Sequence, residues 1–235
     1  MIVIASHDNI DYLKSVLEQL SEMNLDGHDV LIVDTNSTDT EYREYFEHIR
    51  YQYPNIIFDR KYYTCWETGA ILHAFRMYKR DKYVFLNDSI YITNDNFFVD
   101  INNLLNEVEV VPIWNFVYRY DSSEQQSWVE EGLPTERGYS QYYPEWGIIA
   151  SMFAVRYETL NRIPSYWFRD DVNEKYKSQG MERRWSLMFH LINASRKYLD
   201  FLYGQRHNNF WEFEDNVNGK STQTYMKKYF NNNRL

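Results

Sequence analysis

Asn87, Asp88 and Ser89 set one carboxylate between two small oxygen-bearing side chains. Oxygen donors of this kind suit a hard divalent cation. Mg²⁺ takes one or two carboxylates and fills the rest of its shell with water and phosphate oxygens. The same triplet is also ordinary turn chemistry. Its position adds to the metal reading. The residues before it, Tyr83 to Leu86, are all large and apolar or aromatic. Such a run suits a strand buried on both faces of a parallel sheet, and in open α/β sheets ligands bind outside the carboxyl ends of the strands. Two other polar clusters follow apolar runs in the same way: Ser6-His7-Asp8-Asn9 after Ile2 to Ala5, and Asp34 to Asp39 after Val30 to Val33.

These clusters meet only if the elements between them lead to one sheet edge. Tyr12, Leu13, Val16, Leu17 and Leu20 recur at helical spacing and predict an amphipathic helix from Ile10 to Met23. Glu41 to Tyr51, with Tyr42, Tyr45, Phe46 and Ile49 on one side, predicts a second helix, and Thr64 to Lys79 a third. A short strand is expected at Asn55 to Phe58. Strand and helix thus alternate three times before Tyr83, which specifies a parallel sheet with right-handed crossovers. The expectation is an α/β fold with a mostly parallel central sheet and helices on both faces. A chain of 235 residues with no long linker reads as a single domain.

The second half is less regular. It suggests a helix at Asn96 to Asn106, a strand across Val108 to Tyr120, and a polar, turn-rich loop or lid from Asp121 to Tyr143. A strand at Gly147 to Val155, a short helix at Tyr157 to Arg162, and a helix from about Met181 to Ser195 opened by Gly180 follow. Tyr198 to Tyr203 reads as a last strand and Ser221 to Phe230 as a terminal helix.

Composition narrows the function. A net charge of −9 argues against unaided nucleic-acid binding, which needs basic surface to displace phosphate counterions. It leaves open a nucleotide held through a metal. The single cysteine, Cys65, cannot form an internal disulfide, so a reducing, cytoplasmic setting is expected. No stretch approaches the ~18 apolar residues of a membrane span, and Met1 to Ala5 begins a strand rather than a signal peptide. The 22 Tyr and 7 Trp are compatible with sugar sites, where rings stack on apolar pyranose faces, and equally with an aromatic core.

The residues resemble a family. Ile2-Val3-Ile4-Ala5-Ser6-His7-Asp8-Asn9 looks like the opening strand and loop of family 2-like glycosyltransferases with the GT-A fold. Leu31 to Asp39 is similar to that family's second strand and its Asp-x-x-Ser-x-Asp turn, here Asp34-Thr35-Asn36-Ser37-Thr38-Asp39. Trp66-Glu67-Thr68-Gly69-Ala70 lies where such enzymes carry a Gly/Ala-containing helix start, and Phe85-Leu86-Asn87-Asp88-Ser89 occupies the place of the Asp-x-Asp motif. The resemblance covers residues 1–95 well and continues weakly through residues 147–192. Asn-Asp-Ser departs from the pattern by offering one carboxylate instead of two. It resembles variants in some polysaccharide-building and viral transferases.

The resemblance implies a GT-A, Rossmann-like domain whose residues 1–95 bind a nucleotide sugar of UDP or GDP type and whose residues 96–235 bind a glycan or glycoprotein acceptor. It implies inverting transfer to a hydroxyl, assisted by Mn²⁺ or Mg²⁺, with no nucleic-acid partner. Charge developing on the departing diphosphate must be neutralised by a metal, cations or a helix N-terminus. Asp88 would hold the metal, with His207 as a second ligand or else a solvated loop histidine. The donor would meet Ser6, His7, Asp34, Lys61, Glu67, Asn87, Asp88 and Ser89. Asp34 takes the base or ribose, or caps the following helix. Lys61 and its neighbour Arg60 reach phosphate, or are simply solvated. An inverting enzyme needs a general base on the acceptor side. Glu182 matches its place at a helix start in the family, although the helix dipole alone favours a Glu there. Asp170, Asp171 and Glu145 are rivals. Two other readings remain. A sugar-phosphate nucleotidyltransferase would carry a Gly-rich loop after its first strand, where this chain has Ser6 to Asn9. A degenerate transferase fold would bind carbohydrate or protein without turnover.

Overall fold

The computed structural model describes residues 1–61, 66–113, 115–116, 120, 122–134, 146–148, 151–199, 201–206, 210–217 and 220–229. Residues 115–116, 175 and those from 201 onward are described by their backbone alone. In chain order the elements are β1 (Ile2–Ser6), α1 (Ile10–Glu22), β2 (Val30–Thr35), α2 (Thr40–Ile49), β3 (Ile56–Lys61), α3 (Trp66–Met77), β4 (Lys82–Asn87), β5 (Ile90–Ile92) and α4 (Phe97–Glu107). Then come β6 (Val110–Pro112), β7 (Asn115–Phe116), α5 (Ser123–Glu130), β8 (Gly147–Ile148), β9 (Phe153–Arg156), α6 (Tyr157–Arg162), a 3-10 turn at Ser165–Trp167, and α7 (Lys175–Leu191). Three strands close the order, β10 (Phe201–Arg206), β11 (Phe210–Val217) and β12 (Lys220–Tyr229).

The main sheet has six strands in the order β3-β2-β1-β4-β9-β6. The first four run parallel, and β9 lies antiparallel between β4 and β6. Side chains alternate across this sheet as the strand period requires. Val3, Leu31, Val33, Tyr83, Phe85, Phe153 and Val155 enter one apolar layer, which Ala70, Ile71, Ala74, Trp185 and Phe189 of α3 and α7 complete. Ile2, Ile4, Ile32, Val84, Leu86 and Ala154 enter the other, against Leu13 and Leu17 of α1, Tyr42 and Phe46 of α2, and Phe97 and Ile101 of α4. Both faces are therefore covered by helices, which is why these strands carry unbroken apolar runs. Among the described residues no helix is long and apolar enough to cross a membrane.

The second half departs from expectation in several places. Residues 123–130 within the expected loop form α5, whose Ser122 cap accepts from the Gln125 N–H at 3.1 Å. Residues 121 and 135–143 of that stretch lie outside the described residues. The expected strand at Val108 to Tyr120 is broken into β6 and β7, and that at Gly147 to Val155 into β8 and β9, because each piece pairs with a different sheet. The helix expected from Met181 begins at Lys175, so Gly180 lies inside it. A Cβ on Gly180 would come within 3.0 Å of the Trp128 ring. The glycine thus serves the close approach of α5 to α7, not a helix start. Of Ser221 to Phe230, expected as a helix, residues 221–229 fall in β12, and residue 230 lies outside the described residues. The pairing of β12 with both β11 and β5 outweighs the helix propensity of its Lys and Met residues.

Candidate functional site

The strand register brings the polar clusters together. Ser6 is level with Asp34, Ala5 with Asn87, and Thr35 with Lys61. The carboxyl ends of β1, β2, β3 and β4 thus share one edge, with Asp34 and Asp88 both on it. The Asp88 N–H extends the ladder by donating to the Ala5 carbonyl at 3.1 Å.

The loop after β1 is held from the turn that leads into α2. Asp8 adopts the left-handed conformation (φ 47°), uncommon for a non-glycine residue. Its carboxylate accepts from the Thr38 N–H at 2.7 Å, the Asp39 N–H at 2.9 Å and the Thr38 hydroxyl at 3.0 Å. Its own N–H donates to Ser37 Oγ at 2.9 Å. Burial works against the Asp8 charge, but the Asp39 amide, the neighbouring His7 and Thr38 together hold its carboxyl below the usual range. The helix caps are Asn9 for α1, accepting from the Tyr12 N–H at 2.9 Å, and Asp39 for α2, accepting from the Tyr42 N–H at 2.7 Å.

A cavity of about 260 Å³ opens at this edge. Its walls are Ala5 to Asn9 at the end of β1, Tyr12 on α1, Thr35 on β2, Trp66 and Glu67 at the start of α3, and Asn87 to Ser89 after β4. Six of the residues expected at the donor, Ser6, His7, Glu67, Asn87, Asp88 and Ser89, therefore meet in one space. The His7 and Trp66 rings lie 5.7 Å apart. Their buried Nδ1 and Nε1 atoms have no hydrogen-bond partner among the described residues. Asp88 is only 7% exposed, and Ser6 Oγ–H donates to its Oδ2 at 2.6 Å. Ser89 Oγ–H donates to Asn87 Oδ1 at 3.4 Å. Beyond the turn, the side-chain amide of Gln19 grips Ile92 of β5 from both sides, donating to its carbonyl at 3.0 Å and accepting from its N–H at 2.9 Å.

Asp34 and Lys61 are not among the cavity walls. Asp34 is fully buried. One oxygen accepts from the Ser37 N–H at 2.8 Å and the other faces Arg60 Nε at 3.1 Å. Arg60 in turn donates to the Ser37 carbonyl at 3.1 Å, so it turns inward to the Asp34 loop. Lys61 is buried at the end of β3. Glu182 lies within α7, not at its start, and its Oε2 stands 3.1 Å from Arg183 Nη1. One turn earlier, Ser178 Oγ–H donates to Oε2 of the cavity residue Glu67 at 3.3 Å. One turn later, Ser186 accepts from the Ile148 N–H at 2.9 Å. Glu182 thus sits on the α7 face that joins the cavity rim to β8. Asp170 is exposed. Asp171 is gripped by both Nε and Nη2 of Arg169 at 2.7 Å and accepts from Trp128 Nε1 at 3.3 Å. The Arg169 guanidinium first, and then Trp128, holds its carboxyl far below the usual range despite partial burial. His207 and Glu145 lie outside the described residues. Sequence reasoning missed Thr35 and Tyr12 as cavity walls, and it missed Tyr42 and Gln19 behind them. Tyr12 and Tyr42 keep the apolar helical spacing, which marks only a core position.

For a divalent cation the chemistry of the donors fits: a carboxylate, an amide oxygen and hydroxyls are the hard ligands that Mg²⁺ and Mn²⁺ accept. Their charge is small. Among the described residues no group of three or more His, Cys, Asp or Glu side chains could hold a metal. A cation here would depend on Asp88 and on oxygens brought by a ligand.

No family model and no curated protein matches the chain. Solved structures do. The crystal structure of S. aureus TarS 1–349 aligns with a TM-score of 0.51 at 15% identity, over 84% of this chain and 57% of that one. The fold is GT-A-like. This chain spans little more than half the length of the TarS fragment. The same fragment in complex with UDP gives a TM-score of 0.47 at 17% identity, over 84% and 56% of the two chains. The mannosyltransferase PcManGT from Pyrobaculum calidifontis, in complex with GDP-Man and Mn²⁺, gives 0.45 at 15% identity, over 68% and 46%.

Proposed function

We propose that the chain is a glycosyltransferase that moves a sugar from a nucleoside-diphosphate sugar, of UDP or GDP type, to a hydroxyl of a glycan or glycoprotein. One observation carries the reading: the only carboxylate of the Asn87-Asp88-Ser89 turn lines a cavity at the carboxyl ends of parallel strands, where α/β sheets bind nucleotides. The aromatic pair His7 and Trp66 offers that cavity ring surfaces for a base or sugar. Asp88 would hold a Mn²⁺ or Mg²⁺ ion, with His207 as its candidate second ligand. When bound, such an ion neutralises the charge of the departing diphosphate.

Glu182 is the residue proposed to accept the proton of the attacking hydroxyl. It lies one helical turn from Ser178, which is bonded to the cavity wall at Glu67. Asp171 is less suited, because a carboxylate clamped by a guanidinium is a poor base. With the base across the sugar from the diphosphate, the reaction inverts the anomeric centre.

A thermal-shift screen of UDP and GDP with and without Mn²⁺ tests the binding step. At 100 times Kd a ligand adds about 2.7 kcal/mol, or about 5–10 °C in a domain of this size. No shift with either nucleotide, with Mn²⁺ present, would remove the reading. The thin acidic set at Asp88 favours one alternative, a transferase fold that binds without turnover. Mn²⁺-dependent release of UDP or GDP from the corresponding sugar nucleotides separates the two.

A further inference from the structure

Asp88 is nearly buried, and a buried carboxylate is costly unless donors surround it. Its partner Ser6 lies on β1 and donates its Oγ–H to Asp88 Oδ2 at 2.6 Å. The Ser6 proton therefore points to Asp88. Tyr42 OH lies 2.7 Å from the same Ser6 oxygen. With the single serine proton already used, the Tyr42 hydroxyl must be the donor of that second bond. The direction of the chain is therefore fixed: Tyr42 donates to Ser6, and Ser6 donates to Asp88. Tyr42 is 0% exposed on the core face of α2, stacked with Phe46. Its ring cannot turn away, and burial together with the charge of Asp88 keeps its phenol protonated. Nearby, Ser37 Oγ accepts from the Asp8 N–H at 2.9 Å.

We propose that Tyr42 and Ser6 are positioning residues for Asp88, two hydroxyls in series that fix the one carboxylate on which a divalent cation would depend. The proposal rests on the function given above. In it, a rigid hydrogen-bonded relay from α2 does part of what a second acidic ligand does elsewhere: it limits the directions the lone carboxylate can adopt. Hydrogen bonds in such a series polarise one another, so each strengthens the next.

Mn²⁺ titration of the full chain with saturating UDP or GDP, which supplies the ligand oxygens, tests this, using Tyr42→Phe, Ser6→Ala and the double variant. Outer partners of metal ligands are worth about 10–100-fold in metal affinity. Ser6→Ala is expected to raise the Mn²⁺ Kd by about 10-fold or more and Tyr42→Phe by about 3–10-fold. The double variant should be no worse than Ser6→Ala alone, because Tyr42 acts through Ser6. Nucleotide binding without Mn²⁺ should stay as in the parent for Tyr42→Phe, whose hydroxyl lies behind the cavity and not among its walls. A Tyr42→Phe protein with lower Tm but an unchanged Mn²⁺ Kd would make the relay a packing feature only, as would losses that add independently. If Ser6→Ala does not fold, Tyr42→Phe decides alone. A parent that binds no Mn²⁺ overturns the relay. A relay that behaves as expected in a protein releasing no UDP or GDP from sugar nucleotides instead overturns the transferase reading.

Discussion

Asp88 and Glu182 differ in how they are held, and their variants should differ accordingly. Asp88→Asn keeps the shape and still accepts from Ser6 through its amide oxygen, so the fold should survive with Tm nearly unchanged. The charge that attracts a cation is lost. Transfer measured at limiting Mn²⁺ should fall by at least about 10²-fold, in line with the several kcal/mol a metal supplies to a developing anion. Unchanged turnover would take the metal role from Asp88. Glu182 stands on a helix face between two serine contacts, Ser178 to Glu67 and Ser186 to Ile148. Glu182→Gln retains size and hydrogen bonding but not basicity. Its kcat should drop about 10²–10⁴-fold, the usual span for a general base, with UDP or GDP affinity unchanged. A near-normal kcat would pass the role to Asp170, Asp171 or Glu145.

At the scale of elements, the packing of α5 on α7 has a test whose sign is informative. Alanine is the better helix former by about 1 kcal/mol, so in open space Gly180→Ala would stabilise. Here the new methyl meets Trp128 at 3.0 Å and Val129 at 3.2 Å. Trp128 cannot yield, since Arg169 lies over its ring and Asp171 takes its N–H. Gly180→Ala should therefore destabilise by about 1–3 kcal/mol, read as a lower Tm. The turn between α1 and β2 gives a pH dependence. Burial, the largest cause, lowers the His28 pKa to about 4 from the ordinary 6.5. Between these values the unfolded chain binds more protons than the folded one, so stability rises with pH. It should fall as pH drops from 6.5 toward 4, by at most about 1.4 kcal/mol per pH unit. His28→Gln should flatten this slope in a series of Tm measurements. The elements show what could be read in advance. The first four main-sheet strands and three helices were legible because burial on both faces leaves continuous apolar runs and helices leave a 3.6-residue period, both local patterns. Asn87 to Ser89, Ser6 and His7 were legible for the same reason, since they close such runs. The place of β9 between β4 and β6 was not, because pairing partners leave no mark in a short apolar segment. Nor was β12, where pairing from both sides overrides propensity. Tyr42 looked like core and is core; its hydroxyl matters only through the register that places Ser6 beside it.

Across the whole molecule, the main sheet is assembled out of chain order. β6 joins it only through β9, and β9 occupies the flank of β4. The meander of β10, β11 and β12 reaches the rest of the chain through β5, a strand of three residues already gripped by Gln19 on its other edge. A chain ending at residue 199 should therefore keep the main sheet, seen as retained helical and sheet signal in circular dichroism. A chain ending at residue 150 lacks β9 and should not stay in solution, which sedimentation would show. The same arrangement bears on how the protein is made. As the chain leaves the ribosome, Tyr83 to Leu86 emerges with one edge ready to pair with β1, while the strand for its other edge is not yet synthesised. At about 5–20 residues per second, that bare, aromatic edge waits several seconds for Phe153 to Arg156. An unpaired strand edge is a template for another chain, so the nascent protein is most open to aggregation, and most in need of a chaperone, in that interval.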